Sequence, residues 1–160
     1  MNIKKFQDSQ AEEVAKLIKR NLLEITSKYY SPEFVVSLID HHSPMQLLEK
    51  ARNQYIFVAM EDGKVIGTGS LANFGTPEKP SYYGTSIFVA FELHRQGIGR
   101  QIMQKVEEES LNLGADKITV RAAINARKFY EKLGYTYQDG IEMPDKKGNY
   151  IMDKTFHNQE

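Results

Sequence analysis

The chain has 160 residues, with 21 Lys and Arg against 21 Asp and Glu and no cysteine. That length fits one domain over residues 1–160, and at this size folding buries about 70% of the unfolded chain's surface, enough for a core without staples. The missing cysteines exclude disulfides, thiolate zinc sites, iron–sulfur clusters and cysteine nucleophiles. The balanced charge argues against bulk binding of nucleic acid. No run approaches the roughly 18 apolar residues of a membrane-crossing helix. Met1–Phe6 has no apolar signal core, so the expected setting is cytoplasmic, with no membrane partner.

Residues 2–6 read as a short strand. Ser9 followed by Glu12 has the spacing of a capping box, and Val14, Leu17, Ile18, Leu22 and Ile25 then share one helical face. Ser31-Pro32 and Ser43-Pro44 each place a capping hydroxyl before a proline at the first helical position, which predicts two further, separate helices. Residues 55–60 read as a strand. Asp62-Gly63 marks a two-residue hairpin turn, with Val65–Leu71 as its partner strand. After a Gly- and Pro-containing loop over 72–81, Tyr82–Val89 is a third strong strand. A helix is expected from Gly99 to Leu113, stopped by Gly114. Lys117–Arg121 reads as a strand, Asn125–Leu133 as a helix ended by Gly134, and Tyr135–Gln138 and Tyr150–Phe156 as late strands. A strand meander followed by strand–helix–strand predicts an α/β protein with a mixed, mostly antiparallel sheet and helices on both faces.

The richest segment is Ile87-Phe88-Val89-Ala90-Phe91-Glu92-Leu93-His94-Arg95-Gln96-Gly97-Ile98-Gly99-Arg100. An apolar strand runs into a loop with two glycines, and that loop opens a helix. The first helical turn leaves N–H groups unpaired at the positive end of the helix dipole, and glycine lets an anion come close. Arg95 and Arg100 add positive charge there. The pattern suits a phosphate or pyrophosphate, or else a tight turn with no ligand. It is not a P-loop, which needs Gly-Lys-Ser/Thr, and Ile102 stands where the dinucleotide fingerprint needs a third small residue.

His94-Arg95-Gln96-Gly97-Ile98-Gly99 resembles the central motif of the GNAT superfamily of N-acetyltransferases, Gln/Arg-x-x-Gly-x-Gly/Ala after a strand. His94 departs from the usual Gln or Arg, and Phe91 from a frequent Pro. Asn125-Ala126-Arg127-Lys128-Phe129-Tyr130-Glu131-Lys132-Leu133-Gly134-Tyr135 is similar to the family's late helix, and Tyr150–Lys154 to its last strand. The resemblance covers residues 55–156 and implies a GNAT-like fold and an acetyl-coenzyme-A-dependent acyltransferase acting on a primary amine by direct attack. The alternative is a silent coenzyme-A-binding module of the same fold. It implies that Ile87, Phe88 and Val89 hold the pantetheine arm through their backbone. His94, Arg95, Gln96, Gly97, Ile98, Gly99 and Arg100 would take the pyrophosphate, and Asn125 would bond the arm. The Val89 N–H would polarise the thioester carbonyl, and Tyr130 would protonate the leaving sulfur.

An alkyl amine needs a base, since at neutral pH only about one molecule in 2,500 is uncharged. Glu92, Glu24 and the His41-His42 pair are candidates, each more simply a surface residue. No His, Asp and Glu set has metal-site spacing across His41, His42, His94 and His157, so no metal is expected. The acceptor is expected against residues 20–45 and the 72–81 loop. Glu24, Glu33, Asp40, Glu49 and Glu78 there would suit a cation. A small amine, an amino acid, an aminoglycoside and a protein amine stay open as acceptors, as does a homodimer.

Overall fold

The computed structural model describes residues 1–156, which leaves His157 outside the described residues. In chain order the elements are β1 (Asn2–Lys5), α1 (Ala11–Glu24), α2 (Pro32–His41), α3 (Pro44–Lys50), β2 (Tyr55–Glu61), β3 (Lys64–Asn73), β4 (Tyr82–Val89), α4 (Ile98–Asn112), β5 (Lys117–Ala122), α5 (Arg127–Lys132), β6 (Thr136–Tyr137) and β7 (Tyr150–Thr155). The strands form one sheet of seven in the order β1-β2-β3-β4-β5-β7-β6. Only β4 and β5 run parallel; every other neighbouring pair is antiparallel. The mixed sheet expected from the sequence is what forms.

Local chemistry explains most boundaries. Ser31 accepts from the Phe34 N–H at 3.2 Å and Ser43 from the Gln46 N–H at 3.3 Å, so both Ser-Pro pairs cap their helices. Asp62 and Gly63 both have positive φ (51° and 76°), the geometry of a type I′ hairpin turn. One cap is displaced: Ser9 and Glu12 form no capping box. A 3-10 turn over Asp8–Gln10 precedes α1, and Gln7 and Gln10 make the reciprocal pair instead. Glu13, next to Glu12, reaches the Val65 N–H at 2.8 Å and fastens α1 to β3. The expected helix over 125–133 is also divided, into a 3-10 turn at Ile124–Ala126 and α5.

Each face of the sheet carries its own core. On one, α1 lays Val14, Leu17, Ile18 and Leu22 with Val35 of α2 and Leu47 of α3 against Val58 and Val65. On the other, α4 lays Ile98, Ile102, Met103 and Val106 against Phe57, Leu71, Ile118 and Val120. The apolar stripe read for α1 thus lands inside, apart from the half-buried Ile25.

The middle of the sheet is irregular in one way that matters for the site. Ser70 pairs with Thr85 but Thr68 pairs with Phe88, so Ser86 and Ile87 together face Gly69: a β-bulge. Ser86 takes a positive φ of 55° there, unusual for a residue with a side chain. Gly69 is required by packing, because a Cβ on it would collide with Ile102 Cγ2 and lie 2.8 Å from Ile87 Cδ1. Ile102 is fully buried and branched at Cβ, so it has little room to yield. Gly69→Ala should therefore destabilise the protein by about 1–3 kcal/mol, read as a lower urea midpoint at unchanged slope. A midpoint equal to that of the wild type would refute this packing constraint.

Candidate active site

β4 is the fourth of seven strands, yet it is half-buried along nearly its whole length, while its neighbour β3 is buried at every residue between its two ends. The reason is on its other edge. β4 and β5 are in register only at Tyr83↔Thr119 and Gly84↔Val120. Beyond Gly84 the strands part, and the sheet is open along the second half of β4.

The ladder on the β3 side fixes which groups face that opening. The Ala90 N–H donates to Ile66 O at 2.9 Å, and hydrogen-bonded pairs alternate along an antiparallel ladder. Thr68 and Phe88 are then a bonded pair, and Gly67 and Val89 are not. The N–H and C=O of Val89 therefore point away from β3, into the splay. His94 confirms the direction by donating from Nε2 to Val89 O at 2.9 Å. Phe88 differs from the expectation that its backbone holds an arm of a ligand. Its main-chain groups belong to the β3 ladder, and its ring instead meets the His42 ring edge-on, with centroids 5.7 Å apart. Ile87 lies in the bulge with no register partner.

The glycine loop follows directly. Arg95 (φ 68°) and Gly97 (φ 81°) both adopt left-handed conformations, and Gly97 is the N-cap of α4 with no side-chain cap. The Gln101 N–H closes the first helical bond on Gly97 O at 3.1 Å, so the N–H groups of Ile98, Gly99 and Arg100 precede the helical ladder. Arg95, Gln96 and Arg100 are exposed, whereas the side chain of Ile98 is buried in the α4 core and leaves only its backbone for a ligand. The two glycines differ in role. A Cβ on Gly97 would meet nothing, but one on Gly99 would lie 3.1 Å from Phe129 Cε1 and 3.7 Å from Val89 Cγ2. Gly99 thus lets α5 pack against the start of α4, and it brings the two sequence motifs together.

Tyr130 is buried beside Phe129 and Tyr135, with ring centroids 5.0 and 5.4 Å away. Burial pushes its phenol well above the ordinary value, so the hydroxyl keeps its proton. Asn125 is exposed in the 3-10 turn and caps neither that turn nor α5. Of the candidates for a base, Glu24 and His41 are exposed, and exposed Glu92 is paired with Arg20.

His42 is not the surface residue expected. It is 8% exposed, and its Nδ1 lies 2.7 Å from Leu38 O and its Nε2 2.8 Å from Ser86 Oγ. Burial, then the nearby charge of Lys50 on α3, lower it to about 4, against a bond to Leu38 that raises it and a further lowering by His41. Tyr30 lies within the 20–45 stretch expected against the acceptor. Its hydroxyl accepts from the Ile124 N–H at 3.1 Å and reaches Gly148 O at 3.0 Å and Asn149 Oδ1 at 3.1 Å. The α1–α2 connection is thereby tied to the β5–α5 turn and to the loop before β7. The 72–81 loop turns back on itself, with the Gly75 and Ser81 N–H groups on Asn73 Oδ1 at 2.9 Å each. Among the described residues no cluster of three His, Asp or Glu could hold a metal ion. No helix there is long and apolar enough to cross a membrane.

The family model described as an acetyltransferase (GNAT) domain matches residues 7–146. The chain is similar in structure to the PaiA N-acetyltransferase of Thermoplasma acidophilum in complex with coenzyme A, at TM-score 0.83 and 18% identity over 97% of this chain and 98% of that one. It is similar to a GNAT-family acetyltransferase from Brucella melitensis in complex with acetyl-CoA, at 0.71 and 17% over 99% and 90%. It is also similar to an aminoglycoside 6'-N-acetyltransferase complexed with coenzyme A, at 0.74 and 14% over 100% and 99%. No curated protein matches the chain in sequence.

His42 also sets a dependence of stability on pH. The folded state holds it near 4 against an ordinary 6.5, so the unfolded chain takes up the proton first as pH falls. The contribution is complete above about pH 6.5 and is lost as pH drops toward about 4, a span of about 3 kcal/mol. Urea midpoints across that range should fall less steeply for His42→Gln than for the wild type. Equal slopes would mean that His42 is not held neutral.

Proposed function

The chain belongs to the GNAT acetyltransferase family, and we propose that it transfers an acetyl group from acetyl-coenzyme A to a primary amine by direct attack. The observation that carries this reading is the Val89 edge: an N–H in the middle of a sheet, turned toward an opening and followed within ten residues by a left-handed glycine N-cap. Those features fit a thioester whose arm lies along β4 and whose pyrophosphate reaches α4. Acetyl-coenzyme A supplies the acetyl group already activated as a thioester.

The chain's own residues then divide the work. The N–H groups of Ile98, Gly99 and Arg100 bind pyrophosphate oxygens at the positive end of α4, with Arg95 and Arg100 adding charge. His94 takes the place of the family's usual Gln or Arg by bracing the loop on Val89 O rather than by matching its chemistry. The Val89 N–H donates to the carbonyl oxygen as that oxygen gains negative charge, a contribution fixed in place before the reaction starts. Asn125, free of capping duty, bonds the arm. Tyr130 gives its proton to the departing sulfur. Burial makes it a weaker acid than free tyrosine, but an uncovered thiolate in the same dry surroundings is a stronger base as well. The acceptor amine enters where Tyr30 joins the α1–α2 connection to the loop before β7.

Acetyl-coenzyme A at 100 times its dissociation constant should add about 2.7 kcal/mol, raising the unfolding midpoint by about 5–10 °C, whereas ATP and NAD should not. No shift would overturn the cofactor assignment. Tyr130→Phe should lower kcat by about 10²- to 10³-fold while leaving the acetyl-coenzyme A dissociation constant within about twofold. An unchanged kcat would remove Tyr130 from the proton transfer.

A further inference from the structure

The bulge in β4 carries a second pair of groups that the transfer scheme has not used. Nδ1 of His42 faces Leu38 O, and a carbonyl only accepts, so Nδ1 bears the ring proton. In the neutral ring Nε2 is then a bare acceptor, and the Ser86 hydroxyl 2.8 Å away donates to it. With its one proton committed, half-buried Ser86 Oγ has only lone pairs left to offer. A hydroxyl oriented in this way suits a donor such as an amine N–H.

Two further observations separate this pair from ordinary core packing. Ser86 holds φ at 55°, where glycine would be unstrained and a side chain is not. Bulges of this left-handed kind ordinarily have glycine at that position. The pair also reaches β4 from the face covered by α1, α2 and α3, whose core includes Phe88, whereas the glycine loop leads into α4 on the other face. The acetyl donor and the Ser86–His42 pair therefore address the splay from opposite sides of the sheet.

Resting on the transferase reading above, we infer that Ser86 and His42 form the proton path from the attacking amine. As the amine nitrogen bonds to the acetyl carbon it becomes far more acidic. Its proton passes to Ser86 Oγ while the Ser86 proton moves to His42 Nε2. The C–N bond forms, the C–S bond breaks, and the sulfur takes the Tyr130 proton. Burial and the charge of Lys50 disfavour a positive His42, so it holds the proton only in passing. It returns the proton through Ser86 to water at the half-exposed edge, and Tyr130 is reprotonated from solvent. Ser86 is the catalytic residue of the pair, because it touches the amine, and His42 acts through it.

Ser86→Gly is the decisive variant, because glycine suits the backbone while removing the hydroxyl. The assay follows coenzyme A release from acetyl-coenzyme A with putrescine, spermidine, L-lysine, kanamycin and a lysine-containing peptide. The expected result is an unfolding midpoint close to that of the wild type, relief of backbone strain offsetting the lost bond to His42, with unchanged acetyl-coenzyme A binding and kcat lower by about 10²-fold. Adding His42→Gln to Ser86→Gly should lower kcat no further, since groups acting as one unit are not additive. Wild-type kcat in Ser86→Gly, or a change in amine KM alone, would overturn the proton path while leaving the transferase reading standing. Acetyl-coenzyme A binding with no release by the wild type on any amine would overturn the transferase reading and this inference with it.

Discussion

A strand inside a sheet has main-chain groups on two edges, and both need partners. β4 meets that need on its β3 edge, where pairing persists through the bulge and runs on to Ala90. On the β5 edge it is met at two positions only. The cost of separating β4 from β5 is a row of amide groups facing an opening, and such groups are stable only if water or a ligand satisfies them. The opening is held by packing on either side: α4 is wedged under β3 and β4 through Ile102, and α5 is pressed on the start of α4 at Gly99. The remaining features of the site follow from that separation.

The bulge sets which residues face the gap. A regular strand would continue the alternation begun at Thr85, so odd-numbered residues would keep facing β3. With Ser86 and Ile87 sharing one partner, the alternation resets, Phe88 and Ala90 take the ladder, and Val89 turns outward. The residue that makes the reset, Ser86, is also the one whose side chain is fixed by His42. Direction of the backbone and direction of the hydroxyl are thus coupled at one residue.

Much of this was legible in the chain because backbone requirements leave residue signatures. Asp62-Gly63, Ser31-Pro32, Ser43-Pro44, Gly114 and Gly134 each mark a turn or cap that few residues can make, and the elements begin or stop there as expected, although the helix before Gly134 is divided. Gly97 and Gly99 were legible as a pair but not as two different things, since both read as room for an anion. Only the contact with Phe129 shows that Gly99 is a packing requirement. The capping box at Ser9 failed for a related reason: Gln7 and Gln10 have the same spacing two residues earlier, and spacing alone does not rank them.

The proposed acceptor side was legible only as a stretch, residues 20–45, and not as contacts, because those contacts join single side chains across long sequence separations. Tyr30 reaches loops more than ninety residues away, and His42 meets Ser86 across forty-four. Neither contact leaves a local pattern, because a tyrosine near a helix start and a histidine at a helix end satisfy every local rule equally well when they face water. The donor half of such a site is written in turns, which the backbone constrains. The acceptor half is written in pairings between distant residues, which only the closed fold brings into contact. A bulge with serine at a glycine conformation is where the two halves meet. The strain at Ser86 is the backbone's own mark on the proposed acceptor side, whereas the carboxylates at Glu24, Glu33, Asp40, Glu49 and Glu78 all lie exposed.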